Sequence, residues 1–286
     1  MVWYNKLKKM KRNSIFYLLA IVMVTVFSAG LFSCNSDNEE SNTDGPKRLT
    51  RIVSEDIDTN GVSQNHGNVS LSYDSEGRVV SYVNSTQAWN YSDIIESRYQ
   101  YGDDFIFNEE IEDRNTGYSQ SLVIERHRYS LENGLIVADS ITRTYDRGRR
   151  VKTYSYDDEK RLVAITTKSY GGSVYTTKFV WEDGNLIEMK DDSSVFSYDY
   201  TTLPWKKGVI ADFRFVLDVF LWDAGYFGKR SENLLSKFEY RVDNSNVYGQ
   251  YSYEYSFSNG FVSEIIERHK SYDGSISKTA LTLVWE

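Results

Sequence analysis

From residue 48 to the end, the chain alternates with a period of two. Val69, Leu71 and Tyr73 are interleaved with Ser70 and Ser72. Tyr175, Thr177, Phe179 and Trp181, then Tyr251, Tyr253, Tyr255 and Phe257, then Thr279, Leu281, Leu283 and Trp285 repeat the scheme. Successive side chains of a strand point to opposite faces, so this spacing predicts strands with one face buried and one wet. Composition agrees. The 23 Tyr and only 2 Pro among 286 residues suit a pleated, half-buried surface. With 40% hydrophobic and 26% charged residues, the chain can bury a sizeable core and is not a disordered tail.

Turn chemistry punctuates the alternation. Tyr73-Asp74-Ser75-Glu76-Gly77-Arg78-Val79 is echoed by residues 145–151 and 156–162, with looser copies at 181–186 and 257–262 and a further turn at Glu132-Asn133-Gly134-Leu135. Asp, Asn and Gly supply the side-chain-to-backbone bonds and positive φ that tight hairpins need. Spacings of about 25 residues fit a unit of two strands and a turn. Ile124-Glu125-Arg126-His127-Arg128 is nearly repeated as Ile266-Glu267-Arg268-His269-Lys270. The pattern breaks once, between Lys207 and Trp222, where Ile210, Phe213, Leu217, Phe220 and Leu221 follow helical spacing in a segment apolar on most sides. The expected fold is therefore mainly β: an antiparallel meander of hairpins over 48–286, forming a curved sheet or an open or closed barrel. One buried apolar helix near 207–222 would lie across the concave face or, in a closed barrel, inside it as a plug.

The first 33 residues are an address. Lys6, Lys8, Lys9, Lys11 and Arg12 precede an almost purely apolar stretch from Ile15 to Phe27, the arrangement of a signal peptide. Leu31-Phe32-Ser33-Cys34 resembles a bacterial lipobox, which implies cleavage before Cys34 and lipidation of its thiol. Residues 34–47 are polar and acidic, a disordered tether, and acidic residues after the Cys resemble a surface-export signal of Bacteroidota lipoproteins. Because the leader holds five basic and no acidic residues, its removal takes the net charge from −8 to −13. Such a body is not drawn to nucleic acid. Its expected partner is the outer membrane, reached through acyl chains on Cys34. With one Cys, a disulfide framework and a Cys-rich metal cluster are excluded.

Candidate chemistry is sparse. His66, His127 and His269 show no ligand spacing. The repeat could bring His127 and His269 together, although charged strand positions of this kind are most simply solvated. The pairs Asp103-Asp104, Glu109-Glu110, Asp157-Asp158 and Asp191-Asp192 are explained by turn solvation, without the separation that glycoside hydrolysis needs. No nucleophile elbow, phosphate loop or dinucleotide fingerprint occurs. No catalytic residue, metal ligand or cofactor is assigned. Trp205, Trp222 and Tyr226 are candidate ligand contacts, as aromatics able to stack on a sugar ring or line an apolar pocket. Asp139-Ser140-Ile141 resembles a short bacterial O-glycosylation site in an awkward, strand-interior position.

The lipobox, the acidic tether, the Tyr-Asp-x-x-Gly-Arg-Val hairpins, the apolar helix and the segment Gly225-Tyr226-Phe227-Gly228-Lys229-Arg230-Ser231-Glu232-Asn233-Leu234 together resemble an uncharacterised family of Bacteroidota lipoproteins, whose domain of unknown function has a porin-like fold. The Tyr-Asp hairpins also resemble, more loosely, the repeats of large shell-forming toxins and adhesins. Neither resemblance implies an activity. Charges on both alternating faces, as in Ile124 to Arg128, or on the would-be lipid face, as in Ser97 to Tyr101, speak against strands that cross a membrane. The expectation is a non-enzymatic outer-membrane lipoprotein, facing the periplasm or the cell surface, that binds a glycan or an envelope protein. A carrier of an acyl ligand is the alternative. A hydrolase is a third reading, and it requires His127 or His269, or two carboxylates, to converge in a cleft.

Overall fold

The computed structural model describes residues 47–57, 62–88, 91–115, 119–144, 148–206, 209, 217–242 and 247–286. Cys34, Trp89 and the turn at 145–147 lie outside these residues. Sixteen strands form the wall. The first eight are β1 (Leu49–Ile57), β2 (Ser63–Tyr73), β3 (Val79–Ala88), β4 (Tyr91–Tyr101), β5 (Phe105–Asn115), β6 (Gln120–Glu132), β7 (Leu135–Arg143) and β8 (Arg149–Tyr156). The second eight are β9 (Leu162–Lys168), β10 (Val174–Glu182), β11 (Asn185–Lys190), β12 (Ser194–Pro204), β13 (Asn233–Val242), β14 (Val247–Ser258), β15 (Phe261–Ser271) and β16 (Ile276–Trp285). Each pairs antiparallel with its sequence neighbours, and β16 returns to β1, so the meander closes into a barrel. Closure pairs Ile52 with Leu283 and leaves no free sheet edge.

One half of the hairpins explains the tyrosines. At the last turn before a tight connection, an aromatic side chain reaches back over the sheet to a main-chain carbonyl at the start of the preceding strand. The Tyr73 hydroxyl donates to the Leu49 carbonyl at 2.6 Å, Tyr101 to Val79 at 2.7 Å, and Tyr156 to Ile136 at 2.7 Å. Tyr200 and Tyr255 do the same to Leu186 and Leu235, and the indole N–H groups of Trp181 and Trp285 to Leu162 and Val262. A bulge accompanies most of them, for instance between Ser72 and Tyr73 and between Ser155 and Tyr156, and increases the local twist. The adjoining turns are as the residues predict. Asp74 Oδ1 accepts from the backbone of Glu76 and Arg78, and Asp157 treats Glu159 and Arg161 identically. Asn133-Gly134, Asp183-Gly184 and Asn259-Gly260 have positive φ at both positions, as two-residue hairpin turns require. The copy at 145–151 does not belong to this set, because it joins β7 to β8 at the opposite rim.

Sixteen strands enclose more space than strand side chains alone fill. The connection between β12 and β13 supplies the rest. It carries a helix whose described bounds differ from the predicted 207–222. Among the described residues, only α1 (Val219–Asp223) is helical. Asp218, with φ −67° and ψ 111°, is its N-cap, so Leu217 and Asp218 stand outside the helix despite the apolar spacing. Residues 207, 208 and 210–216 of the prediction lie outside the described set. The helix is inside the barrel: Phe220 packs on Tyr82 of β3 at 4.9 Å, and Phe227 meets Tyr129 of β6 and Tyr154 of β8 at 6.1 and 5.3 Å. Backbone bonds from Ile136 to Tyr226 and from Lys229 to Lys160 tie the segment to the wall. Leu221, Trp222 and Phe227 are completely buried.

Candidate lumenal binding site

In strands such as β4, β5 and β6 the inward residues alternate with outward charges. In β6 the inward set is Glu125, His127, Tyr129 and Leu131, and the outward set includes Arg126 and Arg128. Outward Arg126 pairs with Glu109 of β5 at 2.6 Å, and Arg98 with Glu96 at 2.7 Å. Arginine at a bilayer midplane costs about 2–4 kcal/mol on a lipid-facing strand. Arg98 and Arg126 are therefore costly outer-wall residues for a strand that faces lipid.

Around the plug the lumen is apolar, but β5 to β8 turn it polar above α1. There a cavity of about 800 Å³ remains. Its floor is Leu217, Val219, Phe220 and Phe227, and Tyr82, Tyr129 and Tyr154 stand beside it. Its upper wall carries Asp56, Glu110, Glu125, Asp139 and Asp218 against only two basic groups, His127 and Lys152.

Each carboxylate is held differently. Asp218 Oδ1 caps α1 through the N–H groups of Phe220 and Leu221, and Oδ2 accepts from the Tyr99 hydroxyl at 2.7 Å. Burial outweighs these bonds and raises its pKa. Glu110 Oε2 accepts from Tyr82 and Ser97. His127 sits between two acids, with Nδ1 at 2.9 Å from Asp139 Oδ2 and Nε2 at 3.0 Å from Glu125 Oε1. Burial alone would lower the pKa of His127. The two carboxylates override it and push the value up to about 9, and the imidazolium in turn holds Glu125 below the usual carboxylate range. Lys152, cross-strand from Asp139, has its pKa lowered by burial. On two residues that line the cavity, Asp139 and Asn108, only 1% and 3% exposed, the Oδ1 atoms have no hydrogen-bond partner among the described residues.

The sequence-derived candidates lie elsewhere. Trp222 is sealed in the plug, Tyr226 stacks on Tyr101 at 5.9 Å, and Trp205 carries the Arg230 guanidinium 4.4 Å over its ring. None of the three lines the cavity. His127, expected to be solvated, is instead buried in an ion cluster. His269 is separate from that cluster and stacks on Tyr251 at 4.2 Å in β14. The pair Glu109-Glu110, read as turn solvation, lies within β5 with one carboxylate outside and one inside. Asp139 of the glycosylation-like triplet points inward to His127, with Ser140 outward as a partner of Arg149. Alternation between strand neighbours was the available signal for these positions. What it could not give was the identity of the facing strand. Among the described residues, no three His, Cys, Asp or Glu groups converge closely enough to hold a metal ion.

Comparison with known proteins places this geometry. A porin-like protein from Bacteroides uniformis superposes with a TM-score of 0.56 at 15% identity, covering 83% of this chain and 96% of that one. A porin-like protein from Bacteroides vulgatus aligns at 12% identity, with a TM-score of 0.44 and coverage of 83% and 98%. At these identities the likeness is one of fold. No curated protein matches the chain. Residues 71–261 match the domain of unknown function DUF4595 with porin-like fold, and the closed, plugged barrel is the form that description leads one to expect. The chain belongs to the family defined by that porin-like domain of unknown function.

Proposed function

We propose that the protein is an outer-membrane lipoprotein, held by acyl chains on Cys34, whose barrel is a non-enzymatic binding module that receives a small ligand in its lumen. The observation that carries this reading is a cavity of about 800 Å³ floored by its own plug inside a barrel with a charged outer wall. The volume falls in the range of small-molecule sites. A barrel stopped by α1 and Phe227 holds a ligand and does not conduct one through. An acyl chain suits the floor but not the carboxylate-rich wall, which favours an amphipathic ligand over a simple lipid. The hydrolase reading gains His127 beside two acids, but both ring nitrogens are engaged and the raised pKa keeps the ring protonated at neutral pH. Such a ring orients carboxylates; it does not accept a proton.

Two experiments test the proposal. Ligand-observed NMR on residues 35–286 with a panel of amines, alcohols, sugars and fatty acids should give at least one class of binder displaced by substitution of a cavity residue. A panel with no binder overturns the lumenal module. Labelling cells with a radioactive fatty acid should mark the wild-type protein and not Cys34→Ser. Equal labelling of the two removes the anchor.

A further inference from the structure

Taking the lumenal binding reading as its base, we infer that the ligand is an organic cation, a primary ammonium carried on an apolar or aromatic body, seated with its head among Asn108, Glu110, Asp139 and Asp218. The wall demands donors. Asp139 Oδ1 and Asn108 Oδ1 are acceptors without partners among the described residues, and both belong to almost wholly buried residues that line the same cavity. A buried acceptor left unbonded costs about 1–3 kcal/mol, a penalty that a donor-rich guest removes. An ammonium brings three donors and no acceptor, so it satisfies such a wall without adding an unpaired group.

Charge makes the same selection. Five carboxylates line the cavity against Lys152 and His127, and His127 is already consumed by Glu125 and Asp139. Glu110 and Asp218 accept only from hydroxyl, amide and backbone donors among the described residues. A cation entering here meets carboxylates that are hydrogen-bonded yet not neutralised. Below it, the rings of Tyr82, Phe220 and Tyr129 offer both apolar contact and faces for a cation. A metal ion is a poor alternative, because among the described residues no three His, Cys, Asp or Glu groups are placed to hold one. An anion would meet five carboxylates.

The test compares three probes of nearly equal size on residues 35–286: 2-phenylethylammonium, 2-phenylethanol and 3-phenylpropionate, with glucose as a neutral polyol. The ammonium should bind at least about tenfold more tightly than the alcohol, and the carboxylate should not bind. Glu110→Gln should weaken the ammonium about tenfold and leave the alcohol unchanged. Lys152→Met, which removes the lining cation beside Asp139, should tighten ammonium binding about threefold or more, a gain that a misfolded variant cannot produce. Alcohol or glucose binding as tightly as the ammonium, or Lys152→Met leaving the ammonium unchanged, overturns the cation inference and leaves the lumenal module standing. No binding by any of the four overturns both.

Discussion

The two halves of the lumen are built by the same strands and solve opposite problems. Near the tight turns, inward positions are Tyr, Leu, Ile and Trp. There Leu221, Trp222 and Phe227 complete a dry core in which polar tips are spent on main-chain carbonyls. Toward the other rim, the inward positions of β5 to β8 become Glu110, Glu125, His127, Asp139 and Lys152, and space is left between them. The first half is the part that specifies the barrel. The second is tolerated because the first is stable, and unfilled buried acceptors of this kind mark a site made for something other than packing.

That contrast can be broken most forcefully in the plug. Trp222→Ala should lower unfolding free energy by about 3–5 kcal/mol in a denaturant titration, whereas Thr86→Ala in the cavity wall should stay within about 0.5 kcal/mol. Similar losses at the two sites would mean that the halves are not different in kind. Next in size is the His127 cluster. The fold favours the imidazolium, so its contribution is complete below pH 6.5 and disappears as pH rises through about 9. Stability should fall by roughly 2–3 kcal/mol across that window, and His127→Gln should flatten the decline. A wild-type profile that is already flat would show that the cluster is not formed in solution.

A smaller effect sharpens the account of the dry half. Tyr255→Phe keeps the ring and removes the donor to Leu235, and should cost about 1 kcal/mol. Tyr175→Phe, at an exposed ring near the other rim, should be silent by the same chemical denaturation assay. Smallest of all, Arg126→Ala on the outer wall should change stability by less than about 0.5 kcal/mol, since its pair with Glu109 is half exposed. A large loss there would mean that the outer wall is packed against something.

Much of the wall was legible in the residues. Period-two alternation gave strands, and Asn133-Gly134 and Asp74 to Arg78 gave turns, because both rest on interactions within a few residues. The Tyr-Asp motif was visible, but the role of its ring was not, since Tyr73 acts on Leu49 across 24 positions. The helix boundary was misplaced at Leu217 and Asp218 for a related reason, because Asp218 caps α1 and receives the hydroxyl of Tyr99, a partner 119 positions away. The binding site was the least legible. Asp139 reads as a strand residue beside Ser140, and only the pairing of β6 with β7 and β8 makes it the partner of His127 and the neighbour of Lys152.

What the sequence determined by itself was local: which residues extend, where the chain turns, and which side of each strand is wet. Tertiary structure decided whether the meander closed, what lay inside it and which carboxylates met. The physical reason is distance along the chain. Backbone preference and alternation act over two to five residues, whereas closure joins Leu49 to Trp285, and Tyr99 reaches Asp218 across 119 positions. The meeting of strands then sets the chemistry, since Asp139 and Glu125 raise His127 above its ordinary range against the effect of its burial, and the same packing leaves acceptors of Asp139 and Asn108 to fill.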